Sequence, residues 1–187
     1  HWDGTAWTAA KQTGTPTSKA TLNGVWGAKA NDLWAVGGGG TAFHYDGQIW
    51  TLAPAIGTLN LQAVAGSSSS DIWATSSDGT IVRYNGSSWQ NHTMMAQPIN
   101  DVSVTPTGQA WVVGGSGLTM RWETTKWTQY LSNVSQELRG VWLDPSGDAW
   151  AVGAAGTMLR WASGAWSNLQ TGVRVELRDA WAASPDD

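Results

Sequence analysis

Seven side chains stand out as able to act together on a ligand: Trp26, Trp142 and Trp181, with Arg139, Arg178, Asp101 and Asp179. They recur at fixed offsets from a leucine or isoleucine at Leu22, Leu61, Ile99, Leu138 and Leu177. The Trp position is Ala65 and Ser103 in the other copies, a freedom that a required core residue would lack. The Arg position is otherwise Asn23, Gln62 and Asn100, and the Asp position Gly24, Ala63 and Gly140. Indole faces stack on the C–H faces of sugar rings, while Arg, Asp and Asn hydrogen-bond hydroxyls. The set therefore suits a glycan. The plainer alternative is that the Trp rings fill space and the charges pair across a wet channel.

Other chemistry is poorly served. His1 and His44 share a repeat position with Arg83, Arg121 and Arg160, which reads as an exposed strand face, and His92 stands alone in a loop. No HExxH, CxxC or clustered His/Asp spacing is present, which disfavours a transition-metal site. Asp32, Asp71, Asp148 and Asp187 recur before one strand, with Gln109 in the remaining copy; such aspartates commonly cap a turn through nearby backbone amides. No converging oxygens mark a calcium site. VGGGGT joins two strands with no helix after it, so it is no dinucleotide fingerprint. No serine sits in a G-x-S-x-G elbow. The expectation is a non-enzymatic protein without a cofactor.

The elements that would position these groups form a repeat. NDLWAVGGGGTAFHYDGQIW returns as SDIWATSSDGTIVRYNGSSW, GQAWVVGGSGLTMRWETTKW and GDAWAVGAAGTMLRWASGAW. The first Trp of each falls at Trp34, Trp73, Trp111 and Trp150, a step of 39, 38 and 39 residues, and Trp50, Trp89, Trp127 and Trp166 keep the same step. Such a period marks a repeat architecture. Within each unit, β-branched and aromatic residues alternate with small or polar ones, which predicts strands. Gly40, Gly79, Gly117 and Gly156 mark one hairpin, where positive φ is needed. Asp46-Gly47 and Asn85-Gly86 mark another; Glu123-Thr124 and Ala162-Ser163 require a different turn there. With the segments LNGVWG, LQAVAG, INDVSV and LRGVWL, each unit holds four short strands, the make-up of one β-propeller blade. Most Trp residues, Trp2, Trp7, Trp122 and Trp161 among them, then read as packing between sheets, with Tyr45 and Tyr84 at the place of Trp122.

The D-x-W-A-V-G-x-x-G-T…W/Y-D-G-x-x-W pattern resembles the repeats of Asp-box propellers and of the photosystem II assembly-factor-like family. It also resembles the tandem DVWAVG repeats of myxobacterial-type bacterial surface proteins. The resemblance covers nearly the whole chain and implies an all-β propeller of four-stranded antiparallel blades. It implies little about function, since such repeats serve enzymes, lectins and assembly factors alike. YDGQIW keeps the Asp-Gly turn and closing Trp of an Asp-box and loses the rest, and no sialidase arginine triad with its Tyr/Glu pair can be placed.

At 187 residues the chain reads as one domain with full blades at 22–60, 61–98, 99–137 and 138–176. HWDGTAW matches His44–Trp50, and LRDAWAASPDD matches the start of a unit. A split fifth blade, 177–187 plus 1–21, is therefore expected, lacking an eleven-residue LWAVGGGGTAF equivalent. A five-bladed ring with one thin blade is the favoured reading; a fragment of a longer array and two chains meeting end to end are the others. An open array would leave exposed strand edges.

A net charge of −4 without a basic stripe disfavours nucleic acid, and no apolar run reaches membrane-spanning length. Zero cysteines fit any compartment. Trp- and Gly-rich, Lys-poor composition with Ser/Thr loops points to a bacterial extracellular or cell-surface protein. Sequons at Asn85, Asn91 and Asn133 matter only in a eukaryotic secretory route. The first functional expectation is a lectin-like carbohydrate-binding module. The second is a structural or assembly propeller that binds another protein chain, or a second copy, through its faces or incomplete blade.

Overall fold

The alternation of β-branched and small residues does produce strands. The computed structural model describes residues 4–9, 11–14, 20–54 and 56–183. Four antiparallel units of four strands follow one another; we call them blades 1 to 4. Blade 1 holds β2 (Leu22–Lys29), β3 (Asp32–Gly37), β4 (Ala42–Tyr45) and β5 (Ile49–Leu52). Blade 2 holds β6 (Leu61–Ser68), β7 (Asp71–Ser76), β8 (Thr80–Tyr84) and β9 (Trp89–Met94). Blade 3 holds β10 (Ile99–Val104), β11 (Ala110–Gly114), β12 (Thr119–Trp122) and β13 (Trp127–Gln129). Blade 4 holds β14 (Leu138–Leu143), β15 (Ala149–Gly153), β16 (Met158–Ala162) and β17 (Ala165–Leu169).

The turn glycine does two things. Gly40, Gly79, Gly117 and Gly156 all have positive φ, between 71 and 89°. A Cβ there would also meet a carbonyl oxygen of the following linker, at 2.1 Å from Val134 O for Gly117. The linker between blades is thus seated on the hairpin of the blade before it. In the outer hairpins, Asp46 Oδ1 accepts from the amides of Gln48 and Ile49, and Asn85 Oδ1 from those of Ser87 and Ser88. The third and fourth copies reach positive φ through Thr124, Ser163 and Gly164 instead.

The first strands β2, β6, β10 and β14 pack on one another in turn, which puts them innermost. Side chains and backbone link them: Asn23 Nδ2 donates to Leu61 O at 2.7 Å, and Asn100 Nδ2 to Leu138 O at 2.7 Å. Between blades, the Trp of each second strand enters an aromatic pair on the next blade. Trp34 meets Tyr84 and Trp89, Trp73 meets Trp122 and Trp127, and Trp111 meets Trp161 and Trp166, with ring centroids 4.8 to 5.5 Å apart. These contacts form the core, which is a series of inter-blade seams. The Trp residues of these seams serve as packing, as their periodicity implied, whereas Trp7, expected to pack as well, is exposed, and Trp2 lies outside the described residues.

The termini depart from the expected split blade. Lys11–Thr13, read from sequence as part of a loop, forms β1, which pairs in parallel with β5 on the outer edge of blade 1. The reason is local: β5 is a blade's last strand, and its outer edge offers unpaired amides and carbonyls. Leu177–Ala183 forms no strand, although it lies along β14, where a Cβ on Gly140 would meet Asp179 Cα at 2.7 Å. A first strand needs a second strand beside it to form a ladder, and none lies beside this segment among the described residues. The expected pairings of His1, Trp2 and Asp187 lie outside the described residues.

Candidate functional site

The first-strand residues singled out by sequence do not form one site. Arg139 and Arg178 come together with Gln62, Asn100 and Glu176 around a cavity of about 300 Å³ on the inner side of the blades. Their charges are already matched. Arg139 pairs with Glu137 at 2.9 Å and Glu176 at 2.7 Å, and Arg178 with Glu176 at 3.2 Å. Glu137 also accepts from Asn100 Nδ2 at 3.0 Å. A ligand here would have to displace these carboxylates. Glu137 and Glu176 escaped the sequence reading because they lie one residue before Leu138 and Leu177, outside the compared positions.

Asp101 has a different role. It is half-buried, and its Oδ2 accepts from the amide of Val141, at 2.8 Å, across the seam to blade 4. Ser103 repeats the link two residues on, its Oγ accepting from the Leu143 amide at 3.1 Å. Burial pushes the Asp101 carboxyl up to about 7, against the pull of the Val141 and Val102 amides, and the charge of Asp179 adds to the rise. It is a staple between blades that faces no open cavity.

The three Trp residues each have their own surroundings. Trp26 packs across the first seam, its ring against Gly66. Trp142 lies on Trp150, centroids 5.1 Å apart. Trp181 is 79 % exposed on the terminal segment. The first two are occupied in packing, which follows from their place on the innermost strands.

The recurring aspartates do not cap their own loops. Asp32, Asp71 and Asp148 reach across to the third strand, pairing with His44 Nε2 at 2.7 Å, Arg83 Nε at 2.7 Å and Arg160 Nη2 at 2.8 Å. The third-strand side chain in turn covers the second-strand Trp: His44 stacks on Trp34 at 4.7 Å, Arg83 on Trp73 at 4.7 Å and Arg160 on Trp150 at 5.1 Å. Partial burial raises the Asp32 pKa, but Ser69, His44 and Lys29 outweigh it and hold the carboxyl below its ordinary value. The spacing of 12 residues carries this pairing, and strand register explains it: Trp34 lies opposite His44 and Trp73 opposite Arg83. No group of three His, Cys, Asp or Glu able to hold a metal occurs among the described residues. Nor is any helix there long and apolar enough to cross a membrane.

One surface had no sequence signal. On blade 1, Leu22, Val25, Ala35, Phe43 and Trp50 line an apolar groove of about 460 Å³. The same positions on blades 2 to 4 receive the preceding blade.

No known family profile matches the chain, and no curated protein does. Solved structures match it well. YCF48 bound to D1 peptide has a TM-score of 0.65 at 18% identity, covering 84% of this chain and 56% of that one. YCF48 from Cyanidioschyzon merolae has 0.62 at 18%, covering 86% and 60%. A virginiamycin B lyase from Staphylococcus aureus has 0.70 at 14%, covering 82% and 57%. These are β-propellers, and the likeness shows that the chain has the propeller fold. The chain spans a little over half the length of these neighbours.

Proposed function

We propose that the chain is a non-enzymatic protein-binding propeller module of a secreted or cell-surface protein, and that the open face of blade 1 receives a partner's blade. One observation carries the reading. Val25 is 68 % exposed and Leu22 51 %, whereas Val64, Val102 and Val141 are at most 7 % exposed and Leu61, Ile99 and Leu138 wholly buried. The groove has the lining of a seam, and no blade lies across it among the described residues. Trp50 and Tyr45 lie 5.2 Å apart, like the pair Tyr84 and Trp89 that receives Trp34. What suits them is a second-strand Trp from another blade, and Trp150 of a second copy is such a residue. A heterologous contact of this kind extends head to tail or closes a ring. The YCF48 complex with a D1 peptide supports protein binding as a use of this fold. A glycan site would need stacking faces that Trp26 and Trp142 give to packing, so a protein partner fits better.

The partner's β2 would compete for the seat on blade 4 held by Leu177–Trp181, whose LRDAW mirrors LNGVW. Sedimentation velocity tests this. The wild-type chain should associate as its concentration rises, Val25→Asp should stay monomeric, and Leu177→Asp, which loosens the competitor, should associate more strongly. A wild-type chain that remains monomeric at ~100 µM, a level at which even a weak micromolar contact is populated, sinks the reading.

A further inference from the structure

A cavity of about 620 Å³ lies in the seam between blades 1 and 2, bordered by Trp34, His44, Ala53, Tyr84 and Trp89. Its counterparts in the next two seams are plugged by the chain itself. Between blades 2 and 3, His92 packs edge-on against Trp73 at 4.9 Å and Trp122 at 4.8 Å. Between blades 3 and 4, Tyr130 packs against Trp111 at 5.6 Å and Trp161 at 4.7 Å. Register identifies the missing plug. The Tyr130 amide donates to Thr119 O and the Ala53 amide to Ala42 O, the same ladder position, while His92 is the extra residue of a bulge in β9. Ala53 therefore stands where the other seams have a ring. Tyr84 also replaces the larger Trp122 and Trp161, and the groove is left open at both positions.

We propose that this open groove is a binding site for a planar aromatic ring with a polar edge, a phenol or a neutral imidazole, seated as Tyr130 and His92 are in the neighbouring seams. The occupant is defined by two examples within the same molecule. Each presents a flat ring to the second-strand Trp of its own blade and the third-strand Trp of the next. Edge-to-face geometry of this kind is favoured by the ring quadrupoles. Burial, and then the charge of Arg83, hold His92 below its ordinary pKa, so the ring that fills such a groove is uncharged. The indole N–H groups of Trp34 and Trp89 find no acceptor among the described residues, as is also true of Trp73, Trp127, Trp111 and Trp166 in the plugged seams. The volume falls within the usual range for ligand pockets, roughly 300–1,000 Å³. The ring can come from a tyrosine or histidine of a partner protein or from a free small aromatic. The site is independent of the open face of blade 1.

Titration of the full chain with p-cresol, followed through the indole N–H resonances of Trp34 and Trp89, tests the proposal. Saturable shifts are expected, with cyclohexanol and methyl glucoside at least about tenfold weaker, a gap of ~1.4 kcal/mol. Ala53→Tyr should plug the groove from within, raise Tm and abolish the shifts. Tyr130→Ala should open a second site, with new shifts at Trp111 and Trp166. N-acetyl-tyrosinamide binding more tightly than p-cresol assigns the ring to a protein side chain, and the reverse order assigns it to a free aromatic. Either order upholds the shared chemistry. Absence of saturable shifts with both aromatics overturns the proposal, as does binding undiminished in a folded Ala53→Tyr chain, or glucoside or cyclohexanol binding as well as p-cresol. Should Ala53→Tyr fail to fold, Tyr130→Ala decides: no second site means that an empty groove does not bind a ring.

Discussion

Blades 1 and 2 are built from nearly the same strands, yet one face of blade 1 is open and the same face of blade 2 is sealed. Leu22 and Leu61 begin equivalent strands, as do Val25 and Val64 within them, and only the blade-2 members are buried. The difference lies in the neighbour. A blade does not carry its own core; it supplies half of two seams. Stability in such a repeat is a sum of unit terms and nearest-neighbour interfaces. An end face is therefore where stability is low and where binding to something else costs no existing contact.

The comparison can be tested at several strengths. The largest effect is expected at a sealed seam: Trp73→Ala should cost about 3–5 kcal/mol in chemical denaturation, as truncation of a buried Trp does. Trp150→Ala, its counterpart facing away from blade 3, should cost less than half as much. Equal costs would mean that the end of blade 4 is covered in solution and would break the comparison. A leucine pair sharpens it next. Leu61→Ala should cost about 2–5 kcal/mol, and Leu22→Ala no more than ~1 kcal/mol, as at a surface position.

The seam between blades 3 and 4 has a carboxyl group whose place is taken by Gly24 and Ala63 in the other seams, namely Asp101. The native carboxyl has its pKa raised to about 7 from an ordinary 3.8. Below about 4 the group is protonated in both the folded and unfolded states. Between about 4 and 7 the folded chain holds the proton more tightly, so stability falls as pH rises through that window. Asp101→Asn should thus leave stability at pH 4 nearly unchanged and raise it at pH 8 by up to ~4 kcal/mol. Urea melts at the two values check this. The smallest effect belongs to the rim: Arg83→Ala should cost only about 1 kcal/mol, part of it screened by salt and part lost with the cover over Trp73.

Much of this was legible in the residues. Leu22, Leu61, Ile99 and Leu138 start the four innermost strands, and the turn glycines fall where positive φ is required. The aspartate and the cation 12 residues later were both visible as recurrent positions, but their pairing was not. Residues on adjacent antiparallel strands meet by register, which a list of offsets does not contain. Ala53, His92 and Tyr130 each stand three residues after the closing Trp of their unit, but the spacing alone does not say that a ring at this place plugs a seam. Lys11–Thr13 carried no strand signal of its own, since an edge strand with exposed side chains needs no apolar pattern. Arg139 and Asp101 lie on first strands and Arg178 on a segment that forms no strand, and the three divide between an inner cavity and a seam.

What the sequence determined by itself is the unit. Period, alternation and turn chemistry act within some 40 residues, so four strands, their order and the Trp that leaves each blade follow from local pattern. The tertiary structure decided what happens between units: which face of a blade is sealed, where a side chain plugs a seam, and where it leaves a groove. Those outcomes depend on volumes meeting across a gap from residues about 39 positions apart. Packing is settled only when both sides are in place.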